Sequence, residues 1–146
     1  MAAHHEMILI LDFGSQYTQL IARRVREANV YCEIVPFNHD LSAYRDKNVR
    51  GYILSGGPAS LSESDSPRLD ARFFDTDQPI LGICYGLQLL ADRFGGTLVA
   101  SNTREYGRAK FHVKEQHSLF AGIPQSSTVW MSHGDRIEAV PTGFNL

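Results

Sequence analysis

Short apolar runs alternate with helical patterns as far as Gly96, and this alternation constrains the fold more than any other feature of the sequence. The runs are typical of strands buried on both faces, and they cover residues 7–12, 32–36, 51–55 and 79–83. Helical spacing or helix-start signals mark residues 17–28, 41–45, 69–74 and 85–94. The pattern predicts an α/β fold, a three-layer, flavodoxin-like sandwich with a mostly parallel open sheet, right-handed crossovers and helices on both faces.

The helical alternation fades after residue 97. Residues 97–101, 109–113 and 128–131 are typical of short strands, and turn signals at 102, 122–124 and 141–143 separate them. A shorter antiparallel strand region is therefore predicted for the rest of the chain.

Three loops leave the carboxyl ends of the predicted parallel strands, at residues 12–16, 56–59 and 84–86. Ligands bind at this end of parallel sheets, near a switch in strand order. We expect the three loops to meet at one edge of the sheet.

Cys84 lies at the corner between an apolar run and a helical pattern, with Gly82 and Gly86 on either side. Glycines at this spacing let neighbouring elements approach the corner closely, as in a nucleophile elbow with sulfur in place of oxygen. The positive end of the helix dipole is expected to favour the thiolate. The alternative is a small buried residue at a helix start.

Backbone amides near this corner could stabilise an oxyanion. The amide of Tyr85 opens the new helix, and the amides of Gly56 and Gly57 are not shielded by side chains. Two such donors would stabilise a tetrahedral intermediate. The alternative is that the two glycines only permit a tight turn before Pro58.

A thiol nucleophile usually needs a base. The chain has six histidines, His4, His5, His39, His112, His117 and His133. We expect the first two in a floppy tail and His39 and His117 in exposed loops, so that His112 and His133 remain as candidates. No pair has metal-ligand spacing, no metal is expected, and no phosphate-binding loop is present. The residues alone leave the base unidentified.

The composition is that of a soluble globular protein, with 43% hydrophobic and 21% charged residues and a net charge of −2. This charge gives no reason to expect nucleic acid or a membrane as a partner, and no apolar run is long enough to span a bilayer. Two cysteines without a secretion signal favour the reducing cytoplasm. Cys32, in a strand-like run, is predicted to be a small core residue.

Four segments together resemble the triad-type, class I glutamine amidotransferases in order and spacing. They are residues 10–17 (Ile-Leu-Asp-Phe-Gly-Ser-Gln-Tyr), 53–58 (Ile-Leu-Ser-Gly-Gly-Pro), 82–88 (Gly-Ile-Cys-Tyr-Gly-Leu-Gln) and 129–135 (Val-Trp-Met-Ser-His-Gly-Asp). The second and third segments resemble the whole class. The first and last resemble one branch, in which the ammonia aminates a purine nucleotide.

The resemblance implies roles for individual residues. Cys84 would attack the side-chain amide of glutamine, form a glutamyl thioester and release ammonia, with the amides of Gly57 and Tyr85 as the oxyanion hole. The implied substrate-binding residues are Gln88, Ser132, His133, Gly134 and Asp135.

The resemblance also implies partners and cofactors. The glutaminase domain itself would need no cofactor. Its ammonia would pass to a synthetase domain, in the same parent chain or in a separate subunit, which uses ATP and Mg²⁺. The parent protein would be a homodimer.

One family feature is missing from the sequence. The catalytic histidine of the family lies in a His-Pro-Glu segment after the 132–135 loop, whereas only eleven residues follow Asp135 here and none is histidine. We therefore expect a disordered tail at residues 1–6 and a partial, truncated amidotransferase domain at residues 7–146, inactive or very weakly active alone. Two alternatives remain, a non-catalytic binding module of the same fold and a cysteine hydrolase that uses His112 or His133 as its base.

Overall fold

The computed structural model describes residues 5–146, apart from the side chains of residues 102–105 and 132–133. The chain divides into two compact units, of which the first ends at Leu90 and the second begins at Ala91. Residues 1–4 of the predicted tail lie outside the described part, and the predicted domain bounds stay a prediction. Glu6 forms an ion pair with Arg50 at 2.8 Å.

The first unit contains a parallel four-stranded sheet, as predicted. Its strands are β1 (Met7–Asp12), β2 (Tyr31–Pro36), β3 (Val49–Leu54) and β4 (Ile80–Gly82), in the order β2-β1-β3-β4. The chain therefore adds β2 on one side of β1 and β3 on the other. The crevice at such a reversal is where open α/β sheets bind ligands.

Helix α1 (Thr18–Glu27) packs on one face of this sheet. The core there consists of Ile10, Ala22, Cys32 and Ile53, with Cys32 only 1% exposed. The prediction that Cys32 is a core residue is confirmed. Period-two alternation places these strand residues on one face and their neighbours on the other.

Short 3₁₀ helices, Leu41–Tyr44 and Ala71–Phe74, cover the opposite face of the sheet. The Tyr44 hydroxyl donates a hydrogen bond to Glu33 at 2.7 Å, and the Phe73 ring lies 5.1 Å from the Tyr52 ring. The helix predicted at 69–74 is therefore shorter than expected. It begins at Ala71 because the carboxylate of Asp70 caps it, accepting a hydrogen bond from the Arg72 amide at 2.9 Å.

Helix α2 (Tyr85–Arg93) follows β4 after the single corner predicted from the sequence. It ends where Gly95 takes a positive φ of 87° and its amide donates to the Asp92 carbonyl at 3.2 Å. Glycine at this position is the usual end of a helix.

The second unit contains the antiparallel pair β5 (Thr97–His112) and β6 (Ser126–Ala139). The antiparallel region is confirmed, but the prediction of three short strands was wrong. The first two belong to one continuous strand, β5, which ends at His112. The register shifts between Ala100 and Glu105, which pair with Asp135 and His133. The polar residues 101–104 lie within this irregularity, and pairing resumes after them, so the turn signal at residue 102 does not end the strand.

Within residues 5–146, no helix is long and apolar enough to cross a membrane.

We expect the substitution Ile10→Ala to lower the free energy of unfolding by about 2–5 kcal/mol, because it leaves a cavity in the fully buried centre of the sheet. Urea denaturation measures the change. Leu20→Ala is the matched control, since this side chain of α1 is 44% exposed and should cost under about 1 kcal/mol. Equal losses for the two variants would contradict the assigned core.

Candidate active site

The three loops at the carboxyl ends of β1, β3 and β4 lie side by side, as predicted. A Cβ placed on Gly56 would lie 3.3 Å from the Cys84 Cβ and 3.7 Å from the Ser15 Oγ. A Cβ placed on Gly14 would lie 3.5 Å from the Pro58 Cδ. The structure therefore brings Cys84 against the diglycine loop, which follows β3, one of the two strands at the reversal of strand order.

Cys84 adopts the left-handed backbone conformation, with φ of 50°, and its side chain is exposed. Few residues other than glycine take this conformation, and those that do cluster at functional sites. Gly86 packs directly against the end of β3, where any side chain at this position would overlap the backbone and side chain of Leu54. The Cys84 carbonyl accepts a hydrogen bond from the Gln88 amide at 3.1 Å, so the helix starts directly after the thiol.

Burial of the thiol among its neighbours raises the pKa of Cys84, although the residue as a whole is exposed. The direction is opposite to the thiolate-favouring effect that the sequence predicted from the helix dipole. A neighbouring cation would lower the pKa, but no such cause acts on this thiol among the described residues. At neutral pH Cys84 is therefore mainly a thiol, and a base would increase the fraction that can react.

The backbone at Gly57 can approach its neighbours only because it has no side chain. A Cβ there would overlap the carbonyl group of Phe13. Among the described residues, the Gly57 amide has no hydrogen-bond partner. The amide is thus available as a donor in the loop that lies beside Cys84.

Tyr85 contributes more than the helix-starting amide predicted from the sequence. Its side chain is 2% exposed, its ring lies 5.5 Å from the Phe13 ring, and its hydroxyl donates to the Pro67 carbonyl at 2.5 Å. These contacts fix the first turn of α2 against two other segments. Sequence reasoning missed this role because the Pro67 contact joins residues 18 positions apart.

Asp12 and Ser55 are two further supporting residues that the sequence analysis did not single out. The Asp12 carboxylate accepts hydrogen bonds from the Gly14 amide and the Thr18 hydroxyl, both at 2.9 Å, and so shapes the first loop. Ser55 is fully buried and connects all three loops. The available signal was a polar residue at the end of an apolar run, Asp12 in β1 and Ser55 directly after β3.

Gln88 lies one helical turn after Cys84 and is 7% exposed. The spacing of four residues places it on the same side of α2 as the nucleophile. The amide group of a glutamine side chain can both donate and accept hydrogen bonds.

The other predicted substrate-binding residues, Ser132, His133, Gly134 and Asp135, lie in the second unit. The expectation of a turn there was wrong, because they lie inside β6, where pairing with β5 continues on both sides of Gly134. Ser132 pairs with Tyr106 and Asp135 with Ala100. The side chains of Ser132 and His133 are outside the described part of the structure.

Of the six histidines, the structure describes the side chains of His5, His39, His112 and His117, and all four are exposed. His117 contacts Glu115 at 3.0 Å, and His39 packs edge-on against the Tyr44 ring at 5.9 Å. The predicted exposure of His39 and His117 is confirmed.

A cavity of about 660 Å³ lies on the sheet face covered by the 3₁₀ helices. Its lining is drawn from residues 37–45, 52 and 68–76 and so excludes Cys84. The cavity is therefore distinct from the candidate site.

The family model described as glutamine amidotransferase class-I matches residues 9–146. Among curated relatives, the chain is 52% identical over 141 residues to the GMP synthase [glutamine-hydrolyzing] of Thermomicrobium roseum, covering 97% of this chain and 27% of that protein. It is 51% identical over 139 residues to the protein of the same name from Campylobacter jejuni, covering 95% and 27%. The chain thus spans about a quarter of the length of these relatives.

Solved structures agree. A Thermoplasma acidophilum protein proposed to be one subunit of a GMP synthase matches with a TM-score of 0.78 and 31% identity, over 98% of this chain and 72% of that one. A Thermotoga maritima glutamine amidotransferase, at 22% identity, shares the fold with a TM-score of 0.70, over 94% and 64%. Segments 10–17 and 129–135 had indicated one branch of the family, and the relatives named GMP synthase belong to that branch. The chain has the α/β fold predicted from its sequence, and it belongs to the class I glutamine amidotransferase family.

Proposed function

We propose that this chain is the glutaminase part of a GMP synthase, which hydrolyses glutamine through a cysteine thioester and supplies ammonia for the ATP-dependent amination of XMP to GMP. The observation that carries the proposal is that Cys84 is exposed, has a left-handed backbone conformation and lies against the diglycine loop. A Cβ placed on Gly56 would lie only 3.3 Å from the Cys84 Cβ. The names of the relatives support the choice of reaction.

In the first step the Cys84 sulfur attacks the side-chain amide carbon of glutamine. A C–S bond forms and the carbonyl oxygen takes up negative charge. When the C–N bond then breaks, the nitrogen leaves as ammonia after taking up a proton, and a glutamyl thioester remains on Cys84.

The oxyanion would be stabilised by the amides of Gly57 and Tyr85. The Gly57 amide lies in the loop beside Cys84, and the Tyr85 amide is the first of α2, where helix N–H groups have no partner within the helix. Donors of this kind are fixed before the reaction, because the buried ring of Tyr85 and the tight Phe13–Gly57 contact hold the two segments in place.

Water then attacks the thioester, glutamate leaves and the thiol is restored. The first step needs a base because the pKa of Cys84 is raised and the thiol begins protonated. The second step needs a base to take a proton from the attacking water. The family takes this base from a His-Pro-Glu segment, and the 146 residues do not contain one. We therefore propose that these residues alone turn over glutamine several powers of ten more slowly than a GMP synthase with its complete triad.

Gln88, Ser132, His133, Gly134 and Asp135 would hold the substrate. The α-ammonium group of glutamine requires a hydrogen-bond acceptor, such as the Asp135 carboxylate. The α-carboxylate requires donors, such as amides and hydroxyls. The buried position of Gln88 one turn beyond Cys84 supports its part in this set.

The amination of XMP would take place elsewhere in the whole protein. The chain covers 27% of the length of its GMP synthase relatives, which leaves room there for a synthetase domain that uses ATP and Mg²⁺. The glutaminase part itself needs no cofactor in this proposal. We also propose that the parent protein is a homodimer in the cytoplasm.

A non-catalytic binding module of the same fold is the second candidate. The raised pKa of Cys84 favours it, since a thiol that stays protonated is a poor nucleophile. Ligand binding and assembly that are unchanged by Cys84→Ser, together with no thioester formation, would support this candidate.

A diazo-ketone analogue of glutamine tests the proposed function. We expect it to alkylate Cys84 once per chain, and excess glutamine should slow the reaction, because both compete for one site. Peptide mass spectrometry locates the adduct. Cys32, only 1% exposed, is the internal control, and the variant Cys84→Ser should take up no label. Labelling that glutamine does not slow, or that persists in Cys84→Ser, would contradict the assignment.

The pH dependence of alkylation tests the direction of the pKa shift. Because the thiolate is the reactive form and the pKa of Cys84 is raised, the rate with iodoacetamide should rise about tenfold per pH unit from neutral pH upward. Stopped reactions on a Cys32→Ala background report Cys84 alone, and the same variant unfolded in urea gives the reference titration. A folded-state curve that levels off at lower pH than the unfolded one would show that the pKa is lowered instead.

A further inference from the structure

We propose that the hydroxyl of Ser55 is a positioning group that aims the Gly57 amide at the oxyanion formed beside Cys84. The inference rests on the proposed glutaminase function and adds to it a side chain that does not touch glutamine. It follows from the bonds that Ser55 makes and from the planarity of the peptide group.

Ser55 is fully buried directly after β3, and each of its polar groups is engaged. Its amide donates to the Leu11 carbonyl at 3.1 Å, and its carbonyl accepts from the Gly86 amide at 3.2 Å. Its hydroxyl accepts a hydrogen bond from the Phe13 amide and donates one to the Gly56 carbonyl, both at 3.1 Å. One residue thus connects the first loop, the diglycine loop and the start of α2.

The bond to the Gly56 carbonyl fixes the direction of the next amide. The Gly56 carbonyl and the Gly57 N–H belong to one planar, trans peptide group, in which the two bonds point in opposite directions. Holding the carbonyl toward the buried Ser55 hydroxyl therefore turns the Gly57 N–H away from the interior. The hydroxyl and the proposed oxyanion donor lie at the two ends of the same peptide plane.

This peptide lies where the chemistry is proposed to occur. A Cβ placed on Gly56 would be 3.3 Å from the Cys84 Cβ, and Gly57 packs against the Phe13 carbonyl group. The second bond of the Ser55 hydroxyl, from the Phe13 amide, holds that neighbouring segment as well. Without the hydroxyl, the glycine peptide has no other side-chain partner to set its orientation among the described residues.

Two reagents separate the orientation of the amide from the reactivity of the thiol. The γ-para-nitrophenyl ester of glutamic acid acylates a thiolate: a C–S bond forms, the C–O bond breaks, and the aryloxide leaves without needing a proton. Its tetrahedral intermediate requires the oxyanion donors. Iodoacetamide alkylates the same sulfur by displacing iodide, so no oxyanion forms. The ratio of the two rate constants at Cys84 therefore reports the oxyanion donors alone.

The variants Ser55→Ala and Ser55→Thr are compared with the parent 146-residue chain on a Cys32→Ala background. Loss of one oxyanion donor costs roughly 100- to 1000-fold in rate, so we expect Ser55→Ala to lower the acylation-to-alkylation ratio at least about tenfold. Ser55→Thr, which keeps the hydroxyl, should restore the ratio to within about threefold of the parent value. Tyr44→Phe is the control, because it removes a hydroxyl hydrogen bond of 2.7 Å to Glu33, away from the three loops, and should leave the ratio unchanged.

A ratio in Ser55→Ala equal to that of the parent would overturn the inference, and so would equal losses with both reagents, which would indicate a general distortion around Cys84. Circular dichroism shows whether Ser55→Ala folds. If it does not, the Ser55→Thr variant is the test. A tenfold lower acylation-to-alkylation ratio in Ser55→Thr, despite the retained hydroxyl, would reject the positioning role, and a preserved ratio would support it. A parent chain that alkylates but does not acylate at Cys84 rejects the proposed function, and the inference with it.

Discussion

The close approach of Gly86 to the end of β3 is the contact on which the rest of the site depends. Any side chain at Gly86 would overlap Leu54, and the Gly86 amide bonds to the Ser55 carbonyl. Helix α2 can therefore start immediately beside the sheet, which leaves no room for a gradual turn. The chain makes the turn at Cys84, in a left-handed conformation that points the thiol outward.

A buried polar connection then places the remaining parts around that thiol. Ser55, Phe13 and Gly56 come from two loops, and one hydroxyl satisfies a donor and an acceptor at once. A buried polar group is stable only when its hydrogen bonds are made, so this arrangement tolerates few alternatives. The same bonds that stabilise the interior thus set the geometry of the surface above it.

The parts of the structure that were predictable from the sequence are those encoded locally. Apolar runs gave the parallel strands, and the Gly82–Cys84–Gly86 spacing gave the corner, because each depends on neighbouring residues. The Ser55 connection was not predictable, since its hydroxyl bonds to an amide 42 positions away. At residue 102 a local turn signal was misleading, because pairing between β5 and β6 resumes beyond the irregularity. The thiol was expected to ionise easily from its place at a helix start, whereas its partial burial raises its pKa.

The raised pKa of Cys84 has a consequence for the durability of the site. Peroxides oxidise thiolates far faster than thiols, and the first product, a sulfenic acid, would end the nucleophilicity of the sulfur. An exposed cysteine in an ordinary cell is at risk of this damage. Because desolvation raises the pKa of Cys84, less of this exposed sulfur is in the oxidisable thiolate form than in a fully solvated cysteine.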